Sequence, residues 1–259
     1  MKICQVIFST NRIEYLTQTL EAQSHLDFGS HTVHKIFFDD YPQGRNNHLV
    51  RMLVETYGYT EIILHEENRG LSVTWTEFFN LIRDRQYDYI WHQEDDVVIT
   101  QPVKIDDLIG LIESDASIVQ TVLKRQPWYT WDDPRLLRET DETWLAYRFE
   151  RTREVFSIIA SLYPGWVVRE PFVDYYRFNL NEGMIFKYLE WKYPGACSAV
   201  VKQSDGTPLI THIGDYFHGK RICPGEPNWH LFNYDRFDPT KKYCSKTGYL
   251  MDDPNRPKV

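Results

Sequence analysis

Tyr87-Asp-Tyr-Ile-Trp-His-Gln-Glu-Asp-Asp-Val-Val-Ile-Thr100 decides how the rest of this chain is read. A short apolar run, rich in β-branched and aromatic residues, ends in three acids and then turns apolar again. The pattern predicts a buried strand, and acids at the C-terminal end of such a strand face the crevice in which open α/β sheets bind ligands. Most acidic triplets are only solvated turns. Glu94, Asp95 and Asp96 are candidates for more, because hard oxygen donors gathered at one strand end suit Mg²⁺ or Mn²⁺, whose other partners are commonly substrate phosphates.

Working outward, strands alternate with helices. Ile3 to Phe8 is an apolar strand, followed by Ser9-Thr10-Asn11-Arg12 and a helix carrying Ile13, Leu16 and Leu20. Ser9 or Thr10 could cap that helix or face a nucleotide. Val33 to Phe38 is a second strand, closed by Asp39-Asp40 and a turn-rich loop, with Leu49, Met52, Leu53 and Tyr57 marking the next helix. Glu61 to His65 is a third, followed by Asn68-Arg69-Gly70 and a helix with Leu71, Trp75, Phe78 and Ile82 on one stripe. Tyr89 to His92 is the fourth. Such alternation predicts βαβ units with right-handed crossovers. Ser9/Thr10, Asp39/Asp40, Asn68/Arg69 and Glu94 to Asp96 then all lie at C-terminal strand ends. Solvated turns would be spread over both edges, so the shared edge favours a site.

Further on, Asp106 to Ser114 reads as a helix and Ile118 to Leu123 as a strand. The loop from Gln126 to Pro134, rich in Trp and Pro, reads as a lid or acceptor platform, or as a surface turn tucked onto the core. Arg135 to Glu154 is dominated by charge and reads as polar helix or loop. Glu182 opens a helix that carries Ile185, Tyr188, Leu189 and Trp191 and stops at Pro194-Gly195. The helix dipole favours a carboxylate there, which is also its structural explanation. Cys197 to Lys202 and Leu209 to Thr211 are two strands whose Ser-Asp-Gly-Thr-Pro connection fits a hairpin, and His212-Ile-Gly214 follows. Lys220-Arg221 is a basic pair able to meet a diphosphate, or simply solvated. The expected architecture is a single Rossmann-like α/β domain over residues 1–215, with a mostly parallel central sheet and helices on both faces. Its nucleotide-binding half spans about 1–100 and its acceptor-side half 101–215. Residues 216–259 read as an irregular C-terminal extension.

Composition narrows the classes. The 259 residues carry a formal net charge of −8, which argues against a main affinity for a phosphate backbone without excluding nucleic acid as a partner. The 8 Trp, 17 Tyr and 14 Phe suit stacking on sugars or bases, although large cores use aromatics as well. Cys4, Cys197, Cys223 and Cys244 form no CxxC pair, so neither a zinc site nor a disulfide framework is indicated. With too short an apolar run at the N-terminus for a signal peptide and no membrane span, the expectation is a soluble cytoplasmic protein.

In their order and spacing these clusters resemble the GT-A glycosyltransferases, above all the large inverting family 2. In that family Ser/Thr-Asn-Arg after the first strand and an acid after the second hold the nucleotide, matching Ser9-Thr10-Asn11-Arg12 and Asp39-Asp40. Its Asn-x-Gly before a helix matches Asn68-Arg69-Gly70. Its DxD metal motif matches Glu94-Asp95-Asp96, with Glu in place of the first Asp. The family's catalytic acid opens a helix that ends about a dozen residues later in Gly, the layout of Glu182 and Gly195, and its late His matches His212. Departures exist. The usual Ser and Asp after the second strand's acid pair are missing, and Gly follows Glu182 where a second acid is common, which leaves Glu190 as a rival base. No Gln-x-x-Arg-Trp occurs, which disfavours processive synthesis.

The resemblance implies Mn²⁺- or Mg²⁺-dependent transfer of a hexose or pentose, with inversion, from a nucleoside-diphosphate sugar (a UDP-sugar first) to an acceptor hydroxyl (a glycan first). Asp96 and His212 would hold the metal, with Glu94 partly through water, and Glu182 would be the base. Ser9, Thr10, Arg12, Asp39, Asp40, Asn68, Arg69, Lys220 and Arg221 would face the donor, while Asp95 would meet the ribose or pack structurally. A sugar nucleotidyltransferase is the rival enzyme, but the loop after the first strand lacks the glycines that such enzymes wrap around phosphate. A non-catalytic carbohydrate-binding protein is the alternative without chemistry.

Overall fold

β1 (Lys2–Ser9) shows why a sheet forms and why it must be covered twice. Cys4, Val6 and Phe8 go to one face, Ile3 and Ile7 to the other, and all five are buried. The computed structural model describes the chain apart from residues 11, 41–46, 67–68, 127–136, 153–155, 158, 173–181, 214–215, 218–219 and 222–259. At 125–126, 137–140, 216–217 and 220–221 it describes the backbone alone.

From the N-terminus, β1 leads through α1 (Ile13–Ala22), β2 (Leu26–Asp27), β3 (Thr32–Asp39), α2 (Asn47–Thr56), β4 (Glu61–Leu64) and α3 (Leu71–Ile82) to β5 (Tyr89–Glu94). Then come β6 (Val97–Ile99), β7 (Val103–Lys104), α4 (Ile105–Ser114), β8 (Ile118–Leu123), β9 (Arg125–Gln126), β10 (Leu137–Trp144), β11 (Tyr147–Thr152) and β12 (Ala160–Pro164). The last described elements are α5 (Glu182–Lys192), β13 (Cys197–Gln203), β14 (Ile210–His212), β15 (Tyr216–Phe217) and β16 (Lys220–Arg221).

The central sheet has nine strands in the order β10-β11-β13-β8-β12-β5-β1-β3-β4. β5, β1, β3 and β4 are parallel neighbours. β12 runs against β5 and β8, β13 runs with β8, and β11 runs against β13 and β10. Strand direction is therefore shared by all but β11 and β12, the mostly parallel sheet expected. One face is covered by α3, through Trp75, Phe78, Phe79 and Ile82, and by α5, through Met184 to Phe186, Tyr188 and Leu189. On the other, Leu16, Leu20, Val50 and Val54 of α1 and α2 pack on Ile7 and Phe37. Ile105, Leu108, Ile109, Leu111 and Ile112 of α4 surround Trp91 on that same face. Each such side chain contributes roughly 1.5–3 kcal/mol by leaving water.

Two expectations are corrected. The charged stretch read as polar helix or loop contains the β10–β11 hairpin, in which Tyr147 and Phe149 turn to the core while Arg151 pairs with Glu142 across the strands. Alternation, not helical periodicity, is its true pattern, and cross-strand pairing neutralises the charges. The connection after β13 does form a turn, with Gly206 N–H donating to the Gln203 carbonyl. Its strands nevertheless part: β13 stays in the central sheet, whereas β14 joins β6 and β9 in a three-stranded one. Tertiary pairing overrides the local hairpin signal. The strand β12 had no counterpart in the sequence reading. The Trp-rich loop lies outside the described residues beyond Gln126, as does most of the C-terminal extension. Among the described residues Cys4 and Cys197 are buried and free.

Candidate active site

Ser9, Asp39, Asp40, Arg69 and the acids Glu94 to Asp96 lie at the edge where β1, β3, β4 and β5 end. Asp95 and Asp96 form the turn from β5 into β6, fixed by Asp95 N–H on the Phe8 carbonyl (2.9 Å) and by Ile213 N–H on the Asp96 carbonyl (2.8 Å). In the β6–β14 ladder His212 lies opposite Val97, so a residue from the far end of the domain is delivered beside the acids. His212 Nε2 stands 3.4 Å from Asp96 Oδ1. The donor atoms of Glu94, Asp96 and His212 lie within 4.8 Å of one another, the one such cluster among the described residues.

Asp95 is spent inside the protein. Its carboxylate accepts from Ser9 Oγ (2.8 Å), Thr10 N–H (3.3 Å) and Arg12 Nε (3.3 Å), with a further bond from Arg12 Nη2. Thr19 Oγ1 donates to its carbonyl at 2.7 Å. Of the two roles open to Asp95, packing is the one this geometry supports. Arg12 Nη1 also donates to Asp96 Oδ2 at 2.7 Å, leaving Asp96 Oδ1 directed to His212.

Burial lifts the pKa of Glu94 well above the carboxylate range, and the charges of Asp96 and Glu182 lift it further. Burial also raises Asp95, despite Arg12. Asp96 goes the other way: bonds from His212 and the charge of Arg12 outweigh its burial and hold it low. Burial opposes the charge on Arg12, yet the two aspartates raise its pKa and keep it a permanent cation. Three acids thus share one fixed positive charge, a shortfall that a divalent cation would fill. Two carboxylates and an imidazole at this spacing fit Mn²⁺ or Mg²⁺.

Glu182 is the first residue of α5, near enough to Glu94 for the two carboxylates to repel. Glu190 lies about 12 Å further along the helix axis and pairs with Lys187 at 3.4 Å, so the structure does not bring it into the cluster. On the nucleotide side, Asp39 is buried beside Ser9 in the β1–β3 register. Asp40 N–H reaches the Ser9 carbonyl at 2.9 Å, while its carboxylate takes His65 Nδ1 and Arg69 N–H, both at 2.9 Å. Asn68 lies outside the described residues, and of Lys220 and Arg221 only the backbone is described, paired with β15. Sequence reasoning missed Thr19 and His65. The sequence reading ends the third strand at His65, whereas β4 ends at Leu64, and a polar residue at that strand end was the one signal available.

A cavity of about 750 Å³ opens at the opposite edge, among Tyr87, Tyr89, Trp166 and Arg169, and none of the candidate residues lines it.

Sheet order, two-sided helical cover and an acid cluster at the C-terminal edge define the class: this is the GT-A fold of glycosyltransferases. No protein-family model matches the chain and no curated protein matches its sequence. Solved structures do match. S. aureus TarS 1–349 superposes with a TM-score of 0.55 at 13% identity, over 82% of this chain and 60% of that one. GalNAc-T7 with UDP, GalNAc and Mn²⁺ gives 0.57 at 13%, over 85% and 45%. The mannosyltransferase PcManGT of Pyrobaculum calidifontis, in complex with GDP-Man and Mn²⁺, gives 0.56 at 10%, over 82% and 56%. The chain thus spans between 45% and 60% of the length of these three, and identities this low speak to fold alone. Among the described residues no helix is long and apolar enough to cross a membrane.

Proposed function

We propose that the protein transfers a sugar from a nucleoside-diphosphate sugar to an acceptor hydroxyl, non-processively and with inversion. The observation that carries this is the convergence of Glu94, Asp96 and His212 within 4.8 Å, with Glu182 facing the same acids from the first turn of α5. Neighbours of the same fold hold UDP or GDP-Man together with Mn²⁺, so Mn²⁺ is the first ion to try and Mg²⁺ the second. A UDP-sugar is the first donor to try and a glycan the first acceptor.

Asp96 and His212, with Glu94, would hold the cation at the diphosphate end of the donor. When bound there, the ion neutralises the charge that grows on the departing diphosphate. The nucleoside would extend over β1 and β3 toward Asp39, about 10 Å away at two strand spacings. Glu182 accepts the proton of the acceptor hydroxyl as its oxygen bonds to the anomeric carbon, and the carbon–oxygen bond to the diphosphate breaks with its electron pair leaving on the nucleoside diphosphate. General-base help of this kind is worth about 10²- to 10⁴-fold.

The test is incubation of the protein and Mn²⁺ with UDP- and GDP-sugars and a panel of glycan acceptors, read by NMR. Release of nucleoside diphosphate with an inverted anomeric product is expected. Release of pyrophosphate from a nucleoside triphosphate and a sugar phosphate, with no sugar transfer, would replace this reading by a nucleotidyltransferase.

A further inference from the structure

Beside the acid cluster, at the ends of β3 and β4, lies a second polar network that neither the metal nor the base requires. His65 is buried, and its backbone N–H extends the strand pairing to the Asp39 carbonyl at 3.0 Å. Its ring stands between two carboxylates: Nδ1 is 2.9 Å from Asp40 Oδ1 and Nε2 is 2.8 Å from Glu77 Oε2. Nδ1 hydrogen-bonds Asp40, whereas Nε2 meets Glu77 as an ion pair, which exists only when the ring is protonated. Asp40 Oδ1 also accepts the N–H of Arg69 at 2.9 Å, and the Thr74 hydroxyl bonds the same carboxylate. Arg69 closes the circuit with an ion pair to Glu77. The edge of the His65 ring meets Phe38, with centroids 6.3 Å apart. These contacts tie the end of β3 to the Arg69-Gly70 entrance of α3. Asp39 and Arg69 are donor-side candidates, so the network frames the nucleoside end of the proposed site.

We propose that His65 is a positioning residue for the nucleotide: as an imidazolium clasp between Asp40 and Glu77, it holds the β3 end and the Arg69-Gly70 turn in the shape that binds a nucleoside diphosphate. Losing the proton leaves Asp40 and Glu77 without a cation between them, which spreads the turn. Among the described residues the charged groups facing the ring are Asp40, Glu77 and Arg69. The bond to Asp40 is the main cause that raises the His65 pKa above its ordinary value, with Glu77 adding to it, while burial and Arg69 oppose. A raised pKa puts the loss on the alkaline side. The clasp is whole at mildly acid pH and opens as pH climbs through the folded pKa, above about 6.5.

This inference rests on the nucleotide-sugar reading, and the experiment separates the two. Dissociation constants for UDP and for GDP with Mn²⁺ are measured from about pH 5.5 to 8.5 for the wild type, His65→Gln and Glu77→Gln, beside an NMR titration of the histidine rings. In the wild type, affinity for the nucleotide that binds should fall about tenfold for each unit by which binding raises the His65 pKa, with a midpoint matching the His65 ring. His65→Gln should bind weakly and lack that step. Glu77→Gln, which removes one charge at nearly unchanged size, should shift both midpoints to lower pH; with a purely structural His65 the ring alone would shift, and nucleotide affinity would not follow it. Wild-type binding that ignores the His65 titration, or an unshifted midpoint in Glu77→Gln, would overturn the clasp alone. If neither nucleotide binds the wild type at any pH, the nucleotide-sugar reading falls and takes the clasp with it.

Discussion

At the scale of single residues, the three consecutive acids divide their labour by their neighbours. Asp95, enclosed by Ser9, Thr10 and Arg12, anchors β1 to β5 and the first loop. Asp96 gives one oxygen to Arg12 and turns the other to His212. Glu94 faces Glu182 across the cluster. The proposal of Glu182 over Glu190 as base rests on placement rather than residue type. Glu182→Gln is predicted to keep nucleotide affinity and lose transfer by about 10²-fold or more, as read by initial rates beside UDP titrations. Glu190→Gln, whose side chain is occupied by Lys187, is predicted to transfer at close to the wild-type rate. The opposite pattern would assign the base to Glu190. The acids themselves were legible in the sequence because a strand that ends in carboxylates is a local pattern. The His65–Asp40 contact was not, since it depends on β3 and β4 being neighbours in register.

At the scale of elements, the site depends on how α3 and α5 are held. α3 begins after Gly70, whose φ of 82° and ψ of 150° are open to glycine and strained for any other residue. A Cβ there would meet nothing within 4 Å, so the cost of Gly70→Ala is backbone strain, about 1–2 kcal/mol. Thermal unfolding should show it as a drop of roughly 2–8 °C. α5 is anchored at its far end by Glu170, which accepts from Tyr188 Oη (3.0 Å), Lys192 Nζ (2.5 Å) and Tyr193 Oη (2.6 Å). Burial raises the Glu170 pKa, but these three donors outweigh it and hold it below the ordinary value. A depressed carboxyl stabilises the fold above its unfolded pKa, near 4.3, and that contribution disappears as pH falls through the folded value. Glu170→Ala should therefore lower stability by about 1–3 kcal/mol at neutral pH and by progressively less under acid conditions, as chemical denaturation across pH would show. Periodicity found these helices, because burying one stripe is a local requirement. It misread β10 and β11, whose charges find their partners only once the hairpin has formed, and it joined β13 to β14, which instead answers to β6.

At the scale of the molecule, βαβ alternation places four strand ends side by side, and β14 returns from late in the chain to lay His212 against the first acids. The sheet, its two-sided cover and the shared edge could be read from the alternation of apolar runs. The later half, with β12 and β11 reversed, could not, because direction is set by long-range pairing. If the edge is a nucleotide site, saturating UDP with Mn²⁺ should raise the melting temperature more than either does alone, since ligands that bind only the folded state stabilise it. The most direct measurement of the central claim is a titration of Mn²⁺ by electron paramagnetic resonance, with and without UDP, on the wild type and on Asp96→Ala. The wild type is predicted to bind one Mn²⁺, more tightly with UDP present, and Asp96→Ala to lose that binding while remaining folded by circular dichroism. A folded Asp96→Ala that binds Mn²⁺ and UDP as the wild type does would contradict it.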